Sequence, residues 1–219
     1  MTSASLRRSG TWESPRAIVL FLHGGQQANT EPVLERHASW WRIARMQDRF
    51  EPFAREHDLA VALLKYRFRG WNAGPGRTPD PVVDARGALE ELRGEHPGVP
   101  VVLVGHSMGG RTACHVADDP AVAGVVGLAP WLPEGEPTGA LRERHLTVAH
   151  GSRDRWTSPR WSRVYVERCQ GLATSATWTS MGPVGHFMLR RAGRWNAFTR
   201  DGVDAVLGLT RDLGPGVDA

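Results

Sequence analysis

The sequence predicts an α/β fold: a mostly parallel central sheet flanked by helices on both faces, with no large cap domain. Three observations predict it. Short apolar runs rich in Val, Leu and Ala recur at residues 17–22, 59–66, 101–104 and 122–129, without the polar alternation of a half-exposed strand, and 145–151 reads as a further strand. Stretches with helical spacing separate most of them. The chain of 219 residues fits one domain with a substantial core.

In chain order, residues 1–16 are polar and read as a loose N-terminal arm, with at most a short strand near Thr11-Trp12. The domain spans 17–210, and 211–219 form a tail. Residues 17–22 are a buried strand leading into His23-Gly24-Gly25-Gln26-Gln27. Trp40, Ile43, Ala44, Phe50, Phe53 and Ala54 place one apolar face on a helix over 39–57, capped by Ser39 and open to interruption at Pro52. The strand at 59–66 precedes a loop rich in Gly, Pro and Asp. Asp80 and Pro81 suit the start of a helix running to about Glu95, stopped by Pro97-Gly98.

The central stretch is Val101-Val102-Leu103-Val104-Gly105-His106-Ser107-Met108-Gly109-Gly110, an apolar run followed by Gly-x-Ser-x-Gly and a helical segment. A strand–turn–helix of this kind lifts a serine hydroxyl above the sheet, and glycines at 105 and 109 remove side chains that would collide with neighbouring backbone. The strand at 122–129 follows, then a short polar segment, then the strand at 145–151. Ser158-Pro159 opens a helix over 159–171, with Ser158 as its cap. Thr174 to Ser180 reads as the last strand, and 188–209 as the closing helix.

Gly105-His106-Ser107-Met108-Gly109-Gly110 resembles the nucleophile elbow of the α/β-hydrolase superfamily, and the likeness extends from about Ala17 to Leu209. The resemblance implies the chain order serine, acid, histidine, with an oxyanion loop upstream. His150-Gly151-Ser152-Arg153-Asp154 resembles the acid loop and Gly185-His186 the histidine loop. Asp154 lies 47 residues after Ser107, and His186 lies 32 after Asp154. The expected triad is therefore Ser107, Asp154 and His186, with Asp84 and Asp118 as weaker rivals for the acid because neither follows a strand. The backbone N–H groups of Met108 and of Gln26 or Gly25, with Gln26 favoured, are expected to form the oxyanion hole. Arg69-Gly70 resembles the family's Arg-Gly beside the site. Trp71, Trp131 and Phe187 are expected to meet substrate, with Trp156 on the same predicted edge; ordinary packing is the alternative for each. The short 134–144 segment leaves no room for a lid, which implies an open site and a small or extended acyl substrate.

These expectations add up to a carboxylic ester hydrolase acting on a small-molecule acyl ester. A thioesterase using the same groups and a non-catalytic binding protein are the alternatives. No cofactor is implied. The histidines show no metal-ligand spacing, so no metal is expected. His150 sits at a strand end, too early for the catalytic loop, and His23 and His106 read as structural. The net charge of +4 comes from arginines interspersed with acids, with Lys65 the one lysine, which argues against a nucleic-acid partner. No apolar run reaches the length of a membrane span, and no apolar stretch follows Arg7-Arg8 as in a secretion signal. Cys114 and Cys169 read as free thiols of a cytoplasmic protein. Oligomeric state is not legible in the sequence.

Overall fold

The computed structural model describes residues 3–209. Seven strands form one sheet: β1 (Ser5–Gly10), β2 (Ala17–Leu22), β3 (Leu59–Lys65), β4 (Val101–His106), β5 (Val122–Leu128), β6 (His145–His150) and β7 (Ser175–Ser180). Their order is β1-β3-β2-β4-β5-β6-β7, and every pairing is parallel except β1 with β3. Five helices cover the sheet: α1 (Ala38–Glu56), α2 (Asp80–Glu95), α3 (Met108–Val116), α4 (Pro159–Cys169) and α5 (Ala192–Leu207). α1 packs with α5, and α2 packs with α3.

β2 and β4 are buried at every position, as helices on both faces demand. They are neighbours in the sheet, but the chain leaves β2 toward β3 and leaves β4 toward β5. Their carboxyl ends therefore open a crevice at the point where strand order reverses, the place in such sheets where ligands bind. His23 to Gln27 and Ser107 both emerge there.

The N-terminal residues differ from the expected loose arm. Ser5–Gly10 is an antiparallel edge strand, paired in register from Ser5 with Lys65 to Gly10 with Ala60. Its alternating side chains reach opposite layers. Arg7 bonds Asp48 (2.6 Å), Gln47 (3.1 Å) and the Ala44 carbonyl (3.2 Å) on α1, whereas Arg8 meets Glu91 (2.8 Å) and Glu95 (2.9 Å) on α2. Backbone pairing and these ties replace the apolar pattern by which a strand is ordinarily read.

Smaller differences have local causes. α1 continues through Pro52, which lies on its exposed face, where the carbonyl it leaves unbonded meets water. Asp80 stands inside the first turn of α2 and not at its cap. Its carboxylate is taken by Asn72 (2.8 Å) and Arg77 (2.8 Å). Ser158 caps α4 by accepting from Trp161 N–H at 3.2 Å. Between β5 and β6 the chain makes one 3-10 turn, Gly139–Leu141, and no lid. The expected tail, 211–219, lies outside the described residues.

Removing residues 1–10 uncovers the apolar edge of β3. The truncated chain is expected to unfold at a lower urea midpoint and to self-associate on a sizing column. An unchanged midpoint would show that the edge strand contributes nothing.

Candidate active site

Ser107 occupies a strained turn. Its backbone angles, φ 56° and ψ −118°, are ones a residue with a β-carbon rarely adopts. Two glycines make the turn possible. A β-carbon at Gly109 would strike the carbonyl of Leu22, and one at Gly105 would strike that of Gly109, so α3 packs against the end of β2 with no side chain between them.

The turn aims Ser107 Oγ at His186 Nε2, 3.0 Å away. His186 Nδ1 lies 2.8 Å from Asp154 Oδ2. Because a carboxylate oxygen only accepts, Nδ1 carries the proton and Nε2 is left to accept from the serine. The structure thus brings together the three side chains that the sequence nominates from three separate loops. Asp84 is bound by Arg67 (2.8 Å to its backbone N–H), and Asp118 by Arg86 (2.8 Å).

The Asp154 side chain has no exposure, so its charge needs donors. Oδ1 accepts from the N–H groups of Trp156 (2.8 Å) and Thr157 (2.9 Å). Oδ2 accepts from His186, from His150 Nε2 (3.1 Å) and from the Thr157 hydroxyl (3.0 Å). Burial pushes the acid's pKa up, but the bonds from His150, His186 and Thr157 outweigh it and hold Asp154 far below the usual carboxylate range. His150, expected to stand outside the catalytic loop, is thus a ligand of the acid, and its Nδ1 meets Ser162 Oγ at 2.8 Å. Thr157 carried no signal in the sequence. His106 is buried and, through Nε2, meets the backbone carbonyl of His186 at 3.1 Å; burial first of all holds its pKa well below the usual imidazole value. His23, fully buried, is pushed down to about 4 and faces the Gly24 carbonyl at 2.7 Å.

One expectation about the oxyanion loop is corrected. The Gln26 N–H is already donated to the Arg69 carbonyl at 2.8 Å. This backbone bridge between the two loops takes the donor away from the site. The Gly25 N–H has no acceptor among the described residues, and Met108, first in its helix, has none within the helix.

The crevice is an open cavity of ≈ 590 Å³, a size ordinary for small-molecule sites. Trp131 and Phe187 line it, together with Trp156, Arg42 and Arg69. Phe187 is 40% exposed and Trp156 73% exposed. Trp156 stacks on the His186 ring at 6.5 Å, and Phe187 meets that ring edge-on at 5.5 Å. Trp71 is a correction: at 3% exposure it is buried behind the wall and does not meet the cavity. The Arg111 guanidinium lies 4.2 Å from the Trp71 ring and 4.4 Å from that of Trp131. Glu136 holds Arg111 through two bonds of 2.6 and 2.8 Å and also takes His115 at 2.6 Å. Among the described residues no cluster of His, Cys, Asp and Glu is placed to hold a metal ion.

Comparison with known proteins gives the same class. Residues 19–217 match the model of the alpha/beta hydrolase family. The chain belongs to that family. No curated protein matches its sequence. Among solved structures it is similar to Est1E from Butyrivibrio proteoclasticus with ferulic acid bound (9% identity, TM-score 0.69, covering 94% of this chain and 96% of that one). It is also similar to a serine hydrolase without lid from Xanthomonas campestris (17%, 0.65, 92% and 88%). A third is an esterase from Thermogutta terrifontis phosphonylated by cyclosarin (17%, 0.64, 94% and 90%). At these identities the likeness is one of fold. No helix among the described residues is long and apolar enough to cross a membrane.

Glu136 is buried between Arg111 and His115, and although burial raises its pKa, the bonds from His115 and Arg111 lower it on balance. Glu136→Ala leaves the largely buried Arg111 unpaired and is expected to cost about 3–5 kcal/mol of stability in urea unfolding. A depressed pKa means the contribution is present above the ordinary carboxylate range and lost as pH falls through the folded-state pKa. The gap between wild type and variant should therefore narrow in acid. A gap below about 1 kcal/mol at pH 7 would match an exposed pair and refute the buried-network account.

Proposed function

We propose that the chain is a serine hydrolase of carboxylic esters, acting through an acyl-enzyme at Ser107. The observation that carries this reading is the unbroken series from Ser107 Oγ to His186 Nε2 (3.0 Å) and from His186 Nδ1 to Asp154 Oδ2 (2.8 Å), at the mouth of an open cavity. In this reading Ser107 Oγ attacks the ester carbonyl carbon as His186 Nε2 takes its proton. The carbonyl π electrons move to oxygen, and the N–H groups of Gly25 and Met108 receive the oxyanion. Such a donor is worth about 3–4 kcal/mol to the transition state.

The oxyanion then collapses and the bond to the leaving oxygen breaks. His186 delivers its proton to that oxygen, and the alcohol departs. Water repeats the sequence on the acyl-enzyme, with His186 taking the water proton and returning it to Ser107, and the carboxylic acid is released. Asp154 stays ionised throughout and holds the imidazole with Nδ1 protonated. Cys114 and Cys169 are both free and buried, which fits a reducing, cytoplasmic setting. The lidless mouth supports small or extended acyl groups.

Release of p-nitrophenol from short and medium acyl esters tests the reading, alongside labelling by a fluorophosphonate. Wild type is expected to turn over and to label, and Ser107→Ala to do neither. Asp154→Asn leaves the histidine in the wrong tautomer and should lower kcat by roughly 10⁴-fold. If wild type neither labels nor cleaves any ester or matched thioester, the serine is not activated and the cavity is a binding site only. Faster cleavage of the thioester would move the assignment to a thioesterase.

A further inference from the structure

The cavity wall carries a charge that the proposed chemistry does not use. Arg42 projects from the first turns of α1 and lines the same cavity as Ser107 and His186. Its Nε is buried and makes no hydrogen bond. Among the described residues no carboxylate pairs with it. The other arginine on the wall, Arg69, is held by Glu31 at 2.6 Å. No Asp or Glu lines the cavity.

The surroundings of Arg42 favour an anion further. Burial lowers its pKa, and no acid counteracts the effect. Ala38 and Ser39, at the amino end of α1, line the cavity too. That 19-residue helix has no side-chain cap and no acid in its first turn, so its positive end is not neutralised. Position is set by Phe187. The Arg42 guanidinium lies 4.9 Å from the centre of the Phe187 ring, and that ring also meets the His186 ring at 5.5 Å. The unpaired cation is thus one aromatic ring away from the proposed base.

A half-buried guanidinium that lines the cavity without a carboxylate partner carries N–H groups suited to the planar oxygens of a carboxylate. One unpaired cation balances one negative charge, which matches a carboxylate better than a phosphate dianion. We infer that Arg42 is a specificity residue, and that the substrate is an ester bearing a free carboxylate which Arg42 binds while the ester carbonyl lies at Ser107. This deepens the esterase reading and rests on it, but the binding step stands without turnover.

The experiment compares substrate pairs and reads only ratios of kcat/KM, so that losses from misfolding cancel. In one arm p-nitrophenyl hemisuccinate, hemiglutarate and hemiadipate are set against neutral p-nitrophenyl alkanoates of the same chain length. In the other, butyryl esters of 4-hydroxyphenylacetate and of 4-methylphenol place the carboxylate on the leaving group. Wild type is expected to favour the carboxylate in one arm, which identifies the half of the substrate Arg42 reads. Arg42→Gln should reduce that ratio about tenfold or more, and Arg42→Lys should retain part of it. A ratio unmoved by Arg42→Gln, or a wild-type preference for the neutral member in both arms, overturns the inference.

If wild type cleaves no ester, the esterase reading has failed and binding decides. Ser107→Ala protein is then titrated with glutaric acid monoanilide and with pentananilide, followed by the fluorescence of the cavity tryptophans. Tighter binding of the anionic anilide, lost in Ser107→Ala/Arg42→Gln, upholds the carboxylate site. Equal binding of the two overturns it.

Discussion

A carboxylate buried without exposure has to be surrounded by donors, and much of this molecule's carboxyl-terminal half is arranged to do that for Asp154. Two of its donors are N–H groups of the loop that begins at Asp154 itself, and a third is the hydroxyl of Thr157. The fourth, His150, is the last residue of β6, and its Nδ1 meets Ser162 on α4, whose Oγ accepts from Trp178 Nε1 of β7 at 3.0 Å. β6, α4 and β7 are thereby joined through one polar line ending at the acid. His186 completes the set, so the group proposed as base is oriented by the same requirement that keeps the acid ionised. A half-satisfied network of this kind would be worse than an apolar core.

The elbow sets a second constraint. Backbone angles such as those of Ser107 cost of order 1–3 kcal/mol and persist only where the surroundings over-determine them. Here the Ser107 N–H is donated to the Leu128 carbonyl (3.1 Å), and the Ser107 carbonyl accepts from Gly110, Arg111 and Trp131. β4 is paired on both sides, with β2 and β5. The turn has no room to relax, because its glycines already touch the backbone of the neighbouring strand end and helix. Strain at the serine is held at the end of a strand paired on both sides.

What was legible in the sequence follows from these facts. Doubly buried strands are written as unbroken apolar runs, so β2 to β5 are plain, and the steric need for Gly105 and Gly109 makes the elbow plain too. β1 was not legible as an edge strand, because Ser-Leu-Arg-Arg-Ser-Gly is held by backbone pairing and two arginines, and neither has an apolar period. Gln26 was chosen over Gly25 because the sequence says nothing of a bridge to Arg69. Trp71 was mistaken for cavity wall because loop position does not reveal which of two neighbouring tryptophans lies in front. Thr157, Glu136 and Arg42 are single polar residues without spacing, and only the folded chain shows that the first two have polar partners and that the third has no carboxylate partner among the described residues.

The missing lid gives the site an asymmetry that its chemistry has to live with. Lidded enzymes gain electrostatic strength by closing water out. Here no segment between β5 and β6 is long enough to do so, and the cavity stays open. Low dielectric is confined to the floor, where Asp154, His150 and the buried face of His186 lie. Trp156 and Phe187 pack against the His186 ring, which accounts for two large aromatic side chains being left exposed beside a polar site. A charge on the wall is screened less than one on open surface and more than one in a closed pocket. Selectivity at such a site has to come from groups fixed in place before the substrate arrives, and a guanidinium braced by an aromatic ring on a long helix meets that condition.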